Sequence, residues 1–128
     1  MNRSSSPLIA IFALGVLASA GSAAAQDAQA GAKVFEIYCN SCHTLKTPTP
    51  YKPAPRLAGV IGRRAGSLPG YDASLVMKTW GKVWTPALLD AFIADPGGVV
   101  PGTTMPINVR VRDPKKRADL IAFLKLQK

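Results

Sequence analysis

The 128-residue chain predicts an all-α fold: one small domain of about four helices joined by long loops, with the first and last helices crossing. Three observations carry that expectation. Apolar residues recur at helical spacing in separate segments, two of those segments open on a capping residue followed by proline, and no run reads as a buried strand.

The first helix is expected from about Ala28 into Cys39, with Gly31, Val34, Phe35 and Tyr38 on one side. A glycine inside a helix costs about 1 kcal/mol relative to alanine, so Gly31 points to a close crossing by another helix. The last helix is the expected partner. Asp113-Pro114 opens it with an N-cap side chain and a proline at the first helical position, and Leu120, Phe123 and Leu124 make its apolar face. Thr85-Pro86 repeats the start pattern ahead of Leu88, Leu89, Phe92 and Ile93, in a helix ending near Asp95-Pro96. A shorter helix is expected around Asp72–Thr79. Between Thr47 and Pro55, prolines exclude regular helix and central strand, leaving an extended loop. There are no repeats or heptads.

Residues 39–43 read Cys39-Asn40-Ser41-Cys42-His43 and hold both cysteines and the only histidine of the chain. This is the Cys-x-x-Cys-His attachment pattern of c-type haem. A helical turn puts Cys39 and Cys42 on one side to add to the porphyrin vinyl groups, while His43 takes one axial face of the iron. Other readings fit less well. Structural zinc needs four ligands, and the chain has three thiol or imidazole side chains in total. A thioredoxin-like pair needs a βαβ context, and a disulfide across two residues would staple almost nothing. The proline-rich loop then wraps the cofactor edge.

Residues 1–25 read as a secretory signal peptide and 26–128 as one domain. Arg3 supplies the basic n-region, Leu8 to Ala18 the apolar h-region, and Ala23-Ala24-Ala25 a small-residue cleavage site with Gln26 as the new N-terminus. An uncleaved anchor is the alternative, but Leu8–Ala18 falls short of the roughly 20 apolar residues a spanning helix needs. Export places the protein in the periplasm of a Gram-negative bacterium with no stable membrane span. The formal net charge is +9, and cleavage removes only Arg3 among the charged side chains. The excess is dispersed over Arg63-Arg64, Lys78, Lys82 and Arg110 to Arg117, without the aromatic interleaving of a nucleic-acid stripe. It points to redox partners with acidic docking surfaces or, more simply, to a soluble basic surface. A monomer is expected.

The second axial ligand falls to methionine. Met1 leaves with the leader, and Met77 in the short helix near Trp80 reads as a gap-filling core residue. Met105 sits in Pro101-Gly102-Thr103-Thr104-Met105-Pro106, a loop stiffened by proline at both ends, and is the expected ligand. A thioether favours ferrous iron and closes the metal to dioxygen and peroxide, which suits outer-sphere electron transfer.

The chain resembles the class I c-type cytochromes, the small soluble bacterial carriers related to mitochondrial cytochrome c. The resemblance spans nearly all of residues 28–127. It rests on Gly31 and Phe35, the 39–43 motif, Pro55-Arg56-Leu57-Ala58-Gly59, Gly62-Arg63-Arg64-Ala65-Gly66, Gly81-Lys82-Val83-Trp84-Thr85, Pro101 to Met105 and Arg117 to Leu124. It implies that the Pro55 carbonyl receives the ring N–H of His43, that Trp84 donates to a haem propionate, that Arg63 compensates propionate charge, and that Thr103 bonds in the same pocket. Some positions depart from the family pattern. Ala73 and Phe92 stand where tyrosines are common, and Gly97-Gly98 and Thr104 replace frequent lysines. Lys33, Lys46, Lys52 and Lys82 are the remaining candidates for a docking face.

The expected function is therefore a monohaem electron carrier of a respiratory or photosynthetic chain, not an enzyme. Two other readings keep the fold. One makes the chain the electron-accepting subunit of a periplasmic dehydrogenase. The other lets a loosened methionine, beside Pro106 and Gly97-Gly98, admit peroxide or a gas.

Overall fold

The computed structural model describes residues 25–46 and 52–128; all but the last residue of the expected leader, and most of the proline-rich loop, lie outside the described residues. Within them run five α-helices: α1 (Ala28–Tyr38), α2 (Leu75–Trp80), α3 (Pro86–Ala94), α4 (Pro96–Val99) and α5 (Pro114–Lys125). One 3₁₀ turn, Ile107–Val109, lies between α4 and α5.

Three helices start as their sequences require. Asp27, Thr85 and Asp113 each turn a side-chain oxygen back to free backbone N–H groups at the head of α1, α3 and α5. Proline follows the cap in α3 and α5, where no backbone donor is needed. The short helix begins later than expected. Ser74, two residues after Asp72, caps it by accepting from the Met77 N–H at 3.2 Å, while Asp72 pairs with Lys78 at 2.7 Å. A further difference follows α3. Asp95 closes α3 through its N–H to the Ala91 carbonyl and then caps α4 by accepting from the Gly98 N–H at 3.2 Å. The segment read as loose loop is thus an extra helical turn.

α1 and α5 cross as expected, and Gly31 is the reason they come so close. A Cβ at that position would sit 2.0 Å from the carbonyl oxygen of Asp119 and 2.8 Å from Cβ of Phe123. Phe35 and Phe123 meet beside the crossing with ring centroids 5.8 Å apart. The buried core joins Val34 and Phe35 of α1 to Leu120 and Leu124 of α5, and to Leu89, Phe92 and Ile93 of α3. Arg117 ties these layers together: its guanidinium donates to Asp90 of α3 at 2.8 Å and to the Val111 and Arg112 carbonyls.

The described residues between the first and second helices form no helix, yet they are anchored. Residues 62–65 and 82–84 pair as an isolated antiparallel bridge, with Trp84 N–H donating to the Arg63 carbonyl at 2.9 Å and Ala65 N–H to that of Lys82 at 2.8 Å. That pairing delivers Trp84 to the interior. Gly66, at φ +73°, makes the tight return; a Cβ there would lie 2.7 Å from Lys78 Cα.

Candidate cofactor site

The end of α1 builds the first part of the site. Cys39 and Asn40 both donate their N–H groups to the Phe35 carbonyl, and Cys42 and His43 donate theirs to that of Cys39. The motif therefore continues as tight turns, and Cys39, Cys42 and His43 all reach the lining of one cavity of about 420 Å³. That volume lies within the range of about 300–1,000 Å³ found for cofactor sites.

His43 Nδ1 is 2.7 Å from the Pro55 carbonyl oxygen. A carbonyl only accepts, so Nδ1 carries the proton and Nε2 keeps its lone pair. Burial lowers the imidazole pKa below its ordinary value, reinforced by the positive charges of Lys52 and Arg63 and opposed by the Pro55 bond. The ring is held neutral, as a metal ligand must be. Burial, with the neighbouring Cys42, pushes the Cys39 thiol up to about 12. The two cysteines are not joined to each other, which leaves both sulfurs for a cofactor.

The loop after α4 supplies another part of the lining. Thr103 N–H donates to the carbonyl of buried Val100 at 3.0 Å, and the Thr103 hydroxyl accepts from the Met105 N–H at 3.3 Å. These bonds fold the loop so that Thr103, Thr104 and Met105 line the same cavity as the 39–43 turn. Pro55, Arg63 and Trp84 line it too. Two of Arg63's nitrogens donate to the carbonyls of Ala58 and Arg56 at 3.0 and 2.9 Å, so its position is fixed by the loop it braces. Trp84 is 6% exposed and, among the described residues, its indole N–H has no acceptor. An unpartnered donor at the cavity wall fits an anionic group placed within.

Three further residues matter that sequence reading placed elsewhere or passed over. Met77, read as core, does pack against the core and also lines the cavity. Tyr71 lines it and donates its hydroxyl to the Pro53 carbonyl at 3.2 Å. Lys52 donates to the backbone carbonyl of Asn40 and, at 3.4 Å, to that of His43, pinning the attachment turn to the following loop. None has a sequence mark, because each acts on neighbours assembled only by the fold. The remaining lining is apolar, with Leu57, Leu89, Phe92, Ile93 and Leu124 among it. A hydrophobic disc with two anionic arms suits this donor set and these walls. Among the described residues, no cluster of three or more His, Cys, Asp or Glu side chains could hold a bare metal ion.

Comparison with known proteins agrees. No protein-family model matches the chain. Cytochrome c2 of Rhodomicrobium vannielii is 39% identical over 119 residues, covering 93% of this chain and 94% of that protein. Cytochrome c2 of Blastochloris viridis is 40% identical over 116 residues, 90% of each. Cytochrome c of Guizotia abyssinica is 38% identical over 108 residues, covering 84% and 96%. The solved structure of cytochrome cH from Methylobacterium extorquens superposes with a TM-score of 0.71 at 40% identity, covering 79% of this chain and 99% of that one. The chain belongs to the class I c-type cytochromes. Its fold is theirs, its cofactor is one covalently attached haem c, and it is an electron-transfer protein and not an enzyme.

Proposed function

We propose that the protein is a periplasmic monohaem carrier that shuttles single electrons between redox partners of a respiratory or photosynthetic chain. The observation that carries this reading is the meeting of two thiols, a neutral imidazole and a thioether at one largely apolar cavity. Bound there, the haem supplies reversible one-electron exchange at iron.

The chain's own residues do the rest. Cys39 and Cys42 would hold the porphyrin covalently, and His43 and Met105, which line the same cavity, would ligate its iron. Pro55 orients the imidazole and raises its basicity by accepting the Nδ1–H hydrogen bond. Met105, a soft neutral donor, would favour the ferrous state and close its side of the cavity to small oxidants. Its loop is internally tied through Thr103, which supports the carrier reading over a gas- or peroxide-binding one. Trp84, Arg63 and Thr103 serve the propionate region, with the Trp84 N–H as the free donor. Apolar walls exclude water and hold the surroundings of the charge nearly constant between oxidation states.

Residues 1–25 act as the export signal, so attachment follows translocation and the mature chain begins at Gln26. No helix among the described residues is long and apolar enough to cross a membrane. The basic surface meets acidic docking faces on the partners.

A visible spectrum with redox titration of protein purified from the periplasm tests this reading. A reversible one-electron couple of covalent haem is expected, with no carbon monoxide binding to the reduced form at neutral pH. Cys39→Ala combined with Cys42→Ala should remove covalent haem. Full covalent haem in that variant, or rapid carbon monoxide binding by the parent, would refute the assignment.

A further inference from the structure

Trp80, the last residue of α2, does not line the cofactor cavity. It lines an open groove on the other side of α2, together with Leu75, Val76, Thr79, Val100 and Pro101. The groove is solvent-facing, with Leu75 78% exposed. Inward, the Trp80 ring packs on Trp84 with centroids 4.9 Å apart, and Trp84 is part of the cavity wall. Two packed indoles thus connect a surface groove to the cofactor cavity.

The groove's charge identifies what would sit there. No carboxylate lines it. The Lys82 ammonium lies 5.6 Å from the Trp80 ring centroid, and among the described residues it has no acidic partner. The Arg64 guanidinium lies against Gly81, directly after Trp80, but it lines the cofactor cavity and not the groove. The acidic Asp72 is taken up by Lys78. An apolar centre with the unpaired Lys82 ammonium beside it, and no carboxylate in its lining, matches an acidic-rimmed partner with an apolar centre.

We propose that Trp80 is an electron-exchange port: a redox protein with an acidic docking face seats on this groove, and the electron tunnels through the Trp80 and Trp84 indoles. The proposal rests on the electron-carrier reading. One electron leaves the partner's reduced centre and arrives at the haem iron, or the reverse; neither indole changes oxidation state, and no proton moves. Tunnelling falls exponentially with distance and faster across gaps than through packed atoms. Loss of one indole therefore slows this route alone.

The test uses holoprotein carrying Leu75→Cys, labelled with a ruthenium bipyridyl photosensitiser, and a second holoprotein labelled at Ile107→Cys, which is exposed and not part of the groove. Flash-induced electron transfer to the haem is compared with and without Trp80→Leu. The groove-labelled rate should fall by about tenfold while the Ile107-labelled rate and the reduction potential stay unchanged. An unchanged groove rate, or equal falls from both sites, overturns the proposal. Docking is read separately with hexacyanochromate, a redox-inert paramagnetic trianion. It should broaden the Trp80 indole N–H resonance selectively, and Lys82→Gln should relieve the broadening; absence of selective broadening overturns the acidic-partner part. Protein without covalent haem would instead count against the carrier reading itself, so the two failures are distinct.

Discussion

Asp119 is the only charged side chain that the fold buries among the described residues, and it does so at the crossing of the chain ends. Its carboxylate accepts from the Lys115 ammonium at 2.5 Å and from the Asp27 backbone N–H at 2.8 Å. Those bonds, Lys115 first, hold its carboxyl below the ordinary value. Because the folded pKa is the lower one, the stabilisation is complete above the unfolded-state value and is lost as pH falls through the folded value. Asp119→Asn keeps the acceptor for Asp27 but loses the charge. Its denaturation midpoint should lie below that of the parent at neutral pH, and the gap should close on acidification. A gap that is the same at every pH would contradict this role. Sequence reading gave Asp119 no role of its own, since an acidic residue in a helix ordinarily faces water. Its partner arrives from 92 residues away. The attachment motif was legible for the opposite reason: Cys39, Cys42 and His43 carry their chemistry in local spacing, whereas the reach of Met77 into the cavity depends on where α2 packs.

At the scale of elements, helices with a cap and a following proline were legible to within a residue, because both act through adjacent backbone groups. α4 was not. A four-residue helix containing Gly97 and Gly98 shows no periodicity, and Asp95 reveals its double role only once α3 has ended. The α1–α5 crossing gives a sharper expectation. Gly31→Ala would push a methyl into the Asp119 carbonyl, so the helices must separate, at a cost of about 1–3 kcal/mol by overpacking. Gly97→Ala meets no atom within 4 Å and should be neutral or stabilising by up to about 1 kcal/mol. Chemical denaturation of the two holoproteins should order them that way; equal midpoints would mean that the crossing tolerates a wider separation.

For the whole molecule, the cavity is the organising feature, lined from Tyr38 near the start of the described chain to Leu124 near its end. Apolar walls of a covalently held cofactor supplement the small core that a domain of this length can build. The surface shows the other whole-molecule property, a formal charge of +9 on the full chain. If that charge steers encounters, the second-order rate with an acidic redox partner should fall steeply as ionic strength rises, over the range where the screening length drops below about 10 Å. A flat salt dependence, measured by stopped flow, would reduce the basic surface to a solubility device. The order of motifs along the chain made this architecture readable, but the groove beside Trp80 was not: no residue there has a marked spacing, and only packing joins Trp80 to Trp84.

Axial ligation is the point on which function turns, and Met105 and Met77 both reach the cavity. The far-red sulfur-to-iron charge-transfer band of the oxidised protein distinguishes them. The band should be present in the parent and in Met77→Leu and absent from Met105→Ala. Its survival in Met105→Ala, or its loss in Met77→Leu, would contradict the pairing of His43 with Met105.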